Sequence, residues 1–228
     1  MNTSIYLKLP KVFIKENTDA KNKKILIITY LYFHTTFDKE VYTSIDCICY
    51  ELKLSMKSHG ERRNQNVIKD ILKELIEENI ISFVPTDYCK NFDHISNSQL
   101  FKLHINYESE LFNSISNYVR IEKNELNKIM NIKNNSIHKI FNIFYRIKSY
   151  MCMDEKCLHI CFASLKTLCK ECQCSYATLV NVIKMLYEHH LIYMYRITET
   201  EQMELNTSVD YVFALENYPR DAIIQEFK

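Results

Sequence analysis

A chain of 228 residues that is 47% hydrophobic and 25% charged has the composition of an ordinary globular protein and is long enough for one or two domains. One Gly and three Pro exclude any glycine-rich phosphate loop, and a net charge of +1 excludes a strong global pull toward nucleic acid, so charge that grips DNA must be local. No apolar run approaches the roughly 18 residues that span a bilayer, and the polar start Met1-Asn-Thr-Ser4 is not a signal peptide. Nine cysteines, an odd count, read as reduced thiols; the expectation is a cytoplasmic protein with no membrane partner.

In chain order, the first element is an alternating segment, Ser4-Ile-Tyr-Leu-Lys-Leu-Pro-Lys11, which suits a short strand or extended arm with Tyr6 and Lys8 on one face and Leu7 and Leu9 on the other. It recurs as Ser116-Asn-Tyr-Val-Arg-Ile-Glu-Lys123, a shift of 112 residues, and so marks an internal repeat. Each arm is followed by a polar stretch and then a strongly apolar helix, over 24–33 and 137–147. Tyr30, Tyr32, Phe33, Phe141, Phe144 and Tyr145 in these helices are expected in the core rather than stacked on RNA bases.

After the first helix, Ser44-Ile-Asp-Cys-Ile-Cys-Tyr-Glu-Leu-Lys-Leu-Ser55 predicts a capped helix and a turn, with Ile48, Cys49, Leu52 and Leu54 in core positions. A second amphipathic helix carries Ile68, Leu72 and Leu75, and residues 56–64 between turn and helix form an insertion relative to the second copy. Strands over 80–84 and 99–105 enclose a polar loop, and the boundary between copies falls near 106–115.

The second copy is cleaner. Ser164 is expected to cap a helix over about 165–172, Gln173 and Cys174 to turn, and Ser175 to cap a second helix whose Leu179, Val182, Ile183 and Leu186 face the core. Tyr176, Thr178, Asn181 and Lys184 are left toward solvent. A β-rich segment over 191–197, a polar stretch over 198–208 and a return strand near 209–215 complete the unit.

This succession resembles the winged helix-turn-helix superfamily of bacteria, with Cys169 where a small residue is usual, Cys172 and Cys174 at apolar turn positions, and His190 where Gly is usual before the wing. The fold it implies is mainly α with small β wings (α+β): two winged helix-turn-helix domains in tandem, residues 1–106 and 107–228, the second with a short C-terminal tail. Two such units opened by Tyr-Leu-Lys-Leu-Pro-Lys are similar to plasmid replication initiators and phage replisome organisers of low-GC Gram-positive bacteria. The resemblance implies a sequence-specific double-stranded-DNA-binding protein, not an enzyme. A transcriptional regulator and a winged-helix protein-interaction scaffold are the alternatives, and a homodimer or contacts with replication or transcription proteins would be compatible with it.

In that fold the second helix of each pair enters the major groove. The candidates in copy one are Lys57, Arg62, Arg63, Asn64, Gln65 and Lys69, and in copy two Ser175, Tyr176, Thr178, Asn181 and Lys184. Arg pairs with guanine and Asn or Gln with adenine, whereas Lys57, together with Lys8, Lys11 and Lys90, or Lys123 and Lys166 in the other half, would grip phosphates. Arg62 and Arg63 could equally be a solvated helix start. Residues 1–106 carry 15 Lys+Arg against 13 Asp+Glu and the remainder 14 against 15, so either copy one is expected to dominate affinity or copy two to contact DNA through its helix alone. The acidic wing residues Glu199, Glu201 and Glu204 of copy two would repel phosphates.

Two other chemistries remain to be weighed. Cys157, His159 and Cys161 alternate and could share a strand face near Cys169, Cys172 and Cys174, enough donors for tetrahedral zinc. The last three occupy core positions, however, where cysteine acts as a small hydrophobe, so neither metal nor cofactor is expected. No paired carboxylates, nucleophile elbow or metalloprotease helix is recognisable.

Overall fold

The computed structural model describes residues 6–11, 19–56, 64–112, 117–134, 136–154 and 156–226. The order is β1 (Tyr6–Pro10), α1 (Asp19–Phe33), β2 (Glu40–Thr43), α2 (Ile45–Glu51), α3 (Asn64–Glu77), β3 (Ile81–Val84) and β4 (Phe101–Ile105), then β5 (Tyr118–Glu122). It continues with α4 (Lys123–Asn131), α5 (Ile137–Ser149), β6 (Ile160–Cys161), α6 (Leu165–Cys172), α7 (Tyr176–Glu188), β7 (Tyr193–Arg196), α8 (Glu199–Glu204), β8 (Tyr211–Ala214) and α9 (Arg220–Gln225). The architecture is mixed α and β with small antiparallel sheets.

The halves share one plan. Arm, helix, strand, two helices and two strands occur in this order in each, with α4, α8 and α9 added in the second half, and the three-stranded sheets run β2-β4-β3 and β6-β8-β7, so the last strand lies between the other two both times. Backbone corners repeat as well. Lys53 and Gln173, each closing the first helix of its pair, have φ of 51° and 46°. Asn79 and His190, each leaving the second helix, have φ of 54° and 52°.

The arms, for which the alternation predicted a short strand or extended arm, pair with each other. β1 and β5 are antiparallel, with Leu7 opposite Ile121, Lys8 opposite Arg120 and Leu9 opposite Val119. Their apolar face is buried, and removing four such side chains from water stabilises by roughly 1.5–3 kcal/mol each. Tyr32 and Tyr145 donate hydroxyl hydrogen bonds to the carbonyls of Tyr6 and Pro10, at 3.2 and 2.9 Å, and pin the ribbon to α1 and α5. Those two helices pack on each other, and one hydrophobic cluster runs through both halves. A smaller cluster of Ile160, Ile197, Val212, Ala214 and Ile223 lies under the last sheet.

The segment around 106–112 is packed rather than loose. Tyr107 and Phe112 lie against Tyr32, with ring centroids 5.3 and 5.9 Å away, and Leu111 is buried. Local signals hide three helices from the sequence reading. α4 begins in a capping box formed by Glu122 and Glu125, within a stretch read as polar. The polar stretch over 198–208 contains α8, nucleated by a Thr198–Glu201 capping box, and α9 packs Ile223 into the smaller core. Polar composition suggested loop, but reciprocal capping satisfies the first free backbone donors of a short helix.

Candidate nucleic-acid interface

The cap residues of copy two work as the sequence suggests. Ser164 Oγ accepts from the Thr167 amide at 3.1 Å and Ser175 Oγ from the Thr178 amide at 3.2 Å, which sets the start of α6 and of α7. Leu179, Val182, Ile183 and Leu186 are buried, so the opposite face of α7 is presented outward. Tyr176, Asn181 and Lys184 are exposed on it. Thr178 is half-buried, and its hydroxyl lies 2.9 Å from that of Ser175. Lys184 Nζ is 3.8 Å from Glu188, an exposed pair of little energetic weight.

Sequence reasoning missed how apolar that face is: Tyr176 is 61% exposed, Tyr187 49% and Val180 39%. The signal was present, since positions 176, 180 and 187 fall on one side at helical spacing.

In copy one the structure places three candidates in contacts within the chain. Asn64 donates to the Ser55 carbonyl at 2.7 Å and Gln65 to Asp46 Oδ1 at 2.8 Å. Lys69 Nζ reaches the carbonyls of Asp93 and Ile95 at 3.1 and 3.2 Å, fastening α3 to the loop between β3 and β4. One turn further on, Lys73 pairs with Asp93 at 2.7 Å, and this bond raises the lysine pKa and lowers that of the aspartate. Lys57, Arg62 and Arg63 lie outside the described residues.

The loop between β3 and β4 folds on itself. Thr86 bridges to Cys89, a 3-10 turn spans Phe92–His94, and Cys89, Phe92 and Ile95 are buried. In copy two, Glu201 is held by Arg220 at 2.6 Å and by Thr198. The guanidinium and these hydrogen bonds lower its pKa to about 2.

Cysteine placement corrects one expectation. Only Ile160–Cys161 is strand, so Cys157, His159 and Cys161 do not share a strand face: Cys157 is exposed in a turn and Cys161 is buried. Burial pushes the thiols of Cys161 and Cys172 up to about 12 and that of Cys49 to about 11, which makes them poor nucleophiles and poor metal ligands. Among the described residues no group of three or more His, Cys, Asp or Glu side chains is arranged to hold a metal ion, and no helix is long and apolar enough to cross a membrane.

Lys148 is another buried functional group. Burial pushes its pKa down more than its 2.6 Å partner Glu125 pulls it up. It lines a cleft of about 440 Å³ with Glu122, His159 and His190.

Comparison with protein-family models and with curated proteins finds no match to this chain.

Proposed function

We propose that this chain is a sequence-specific double-stranded-DNA-binding protein built from two tandem winged helix-turn-helix units, 1–106 and 107–228, acting as a replication initiator of a plasmid or phage. The observation that carries the reading is the repeated order of elements. Each half has a helix, a strand, two helices and two further strands in this order, with α4, α8 and α9 added in the second, and the last strand central in the sheet. In copy two, the Ser175 cap leaves Tyr176, Asn181 and Lys184 outward on α7, where a helix in a major groove would need them.

The balance between the copies shifts. Copy one's net charge of +2 favoured it, but Asn64, Gln65 and Lys69 spend their hydrogen bonds inside the chain, while α7 is free of such ties at Tyr176 and Asn181 among the described contacts. Duplex contact through α7, with copy one acting through its 57–63 segment, is the form of the proposal to test.

Selection of bound duplexes from a random pool decides it. Enrichment of direct repeats supports an origin binder, and an inverted repeat moves the assignment to a transcriptional regulator. No enrichment, with no saturable duplex binding at about 50 mM salt, removes DNA binding altogether. A protein-interaction scaffold is then the second reading, favoured by the exposed Tyr176, Val180 and Tyr187 on α7.

A further inference from the structure

The β1–β5 ribbon sets two like charges opposite each other. Lys8 and Arg120 are direct cross-strand partners. Like charges in that position destabilise a sheet. They are also repeat equivalents, since the arms are related by a shift of 112 residues, so a local two-fold axis passes between them. The tyrosines obey the same symmetry. Lys8 Nζ sits 4.5 Å from the ring centre of Tyr118, and Arg120 Cζ sits 4.3 Å from that of Tyr6. Each cation is therefore propped by the tyrosine of the other arm, and both are held on the face opposite the buried Leu7, Leu9, Val119 and Ile121.

Beside this pair lies a cleft of about 660 Å³ lined by Tyr6, Tyr118 and Arg120 from the ribbon and by Lys11, Lys156 and Asp154. Lys11 donates to the Met151 carbonyl at 3.0 Å. Glu122 breaks the symmetry by accepting from Arg120 at 3.1 Å. The cleft itself carries Lys11, Arg120 and Lys156 against the one carboxylate of Asp154, with Lys8 next to it on the ribbon.

We propose that this face binds a phosphodiester flanked by two nucleosides. A phosphodiester carries one negative charge on two equivalent oxygens, which suits two cations across a two-fold axis, and it would remove their mutual repulsion. The nucleosides on either side would meet the two tyrosines, since unpaired bases stack on aromatic rings. A nucleic-acid strand and a free dinucleotide share this chemistry. The inference stands apart from duplex recognition by α7 and does not require it.

The test measures anisotropy of a labelled oligothymidylate of about 12 nucleotides at about 50 mM salt, with the dinucleotide TpT and inorganic phosphate as competitors. Saturable binding displaced by TpT and far less by phosphate is expected; equal potency of TpT and the oligomer identifies a free dinucleotide, and tighter binding of the oligomer identifies a strand. Lys8→Glu should weaken binding roughly tenfold or more while leaving Tm no lower, because the like-charge pair becomes an ion pair. Lys156→Gln should weaken it severalfold, and Lys170→Ala at an exposed position of α6 should leave it unchanged. If Lys8→Glu fails to fold, Lys8→Gln takes its place. Absence of saturable binding, full affinity in the Lys8 variants, or phosphate competing as well as TpT overturns the proposal, whatever the duplex selection returns.

Discussion

Seven non-glycine residues in the described segments hold a positive φ, and four of them are the repeat-related corners Lys53, Asn79, Gln173 and His190. The left-handed region costs a residue with a Cβ about 1 kcal/mol, and asparagine tolerates it best. Gln173→Gly and His190→Gly are therefore expected to stabilise by about 0.5–1 kcal/mol each, read as a Tm rise of about 2–4 °C per kcal/mol. Lys53 is a poorer choice, because its ammonium also bonds the Met130 carbonyl. Lys148 shows the opposite balance. Glu125→Gln should lower stability by about 3 kcal/mol in chemical denaturation, since it leaves a buried ammonium without its counter-charge. For Glu201, the folded pKa of about 2 lies below the unfolded value, so the unfolded state binds more protons between them. Its contribution is complete above that ordinary glutamate range and is lost as pH falls toward about 2. The Tm difference between the parent and Glu201→Gln should shrink as the pH is lowered through this window.

At the scale of elements, the capped corner between α6 and α7 decides whether α7 is presented rigidly. Ser175→Ala should cost about 1 kcal/mol by orphaning the Thr178 amide, and Ser164→Ala a similar amount through Thr167. If α7 contacts duplex DNA, Ser175→Ala should also weaken selected-duplex affinity more than Ser164→Ala does, although both lose similar stability; equal effects in a binding titration would argue against α7. The ion pair of Lys184 with Glu188 is exposed and 3.8 Å long, so Lys184→Ala should leave the unfolding free energy within about 0.5 kcal/mol of the parent and make a clean probe of binding.

At the scale of the molecule, pairing of β1 with β5 and packing of α1 on α5 bury surface contributed by both halves. Either half alone would expose Leu7 and Leu9, or Val119 and Ile121, together with an unpaired strand edge. One cooperative thermal transition is expected for the whole chain, with calorimetric and van't Hoff enthalpies equal. The separated segments 1–106 and 107–228 should be poorly soluble alone and recover structure when mixed; two independent transitions would show that each half folds by itself.

Much of the secondary structure was legible in the sequence, because its causes are local. Ser44, Ser164 and Ser175 cap helices through amides three residues away, Leu179, Val182, Ile183 and Leu186 repeat at helical spacing, and Tyr6 to Leu9 alternate. The short helices α4, α8 and α9 were not legible, because capping outweighed polar composition in two of them and burial of Ile223 supports the third. For the candidate interface, the outward residues of α7 followed from periodicity, whereas the ties of Asn64, Gln65 and Lys69 depend on Ser55, Asp46 and the loop around Asp93, which the fold brings to them. The sequence by itself determined the repeat, the caps and the buried faces. Only the tertiary structure decided that the two arms are each other's partners, with Lys8 facing Arg120. Strand pairing joins residues more than a hundred positions apart, and its register is set by which apolar face the whole core must cover.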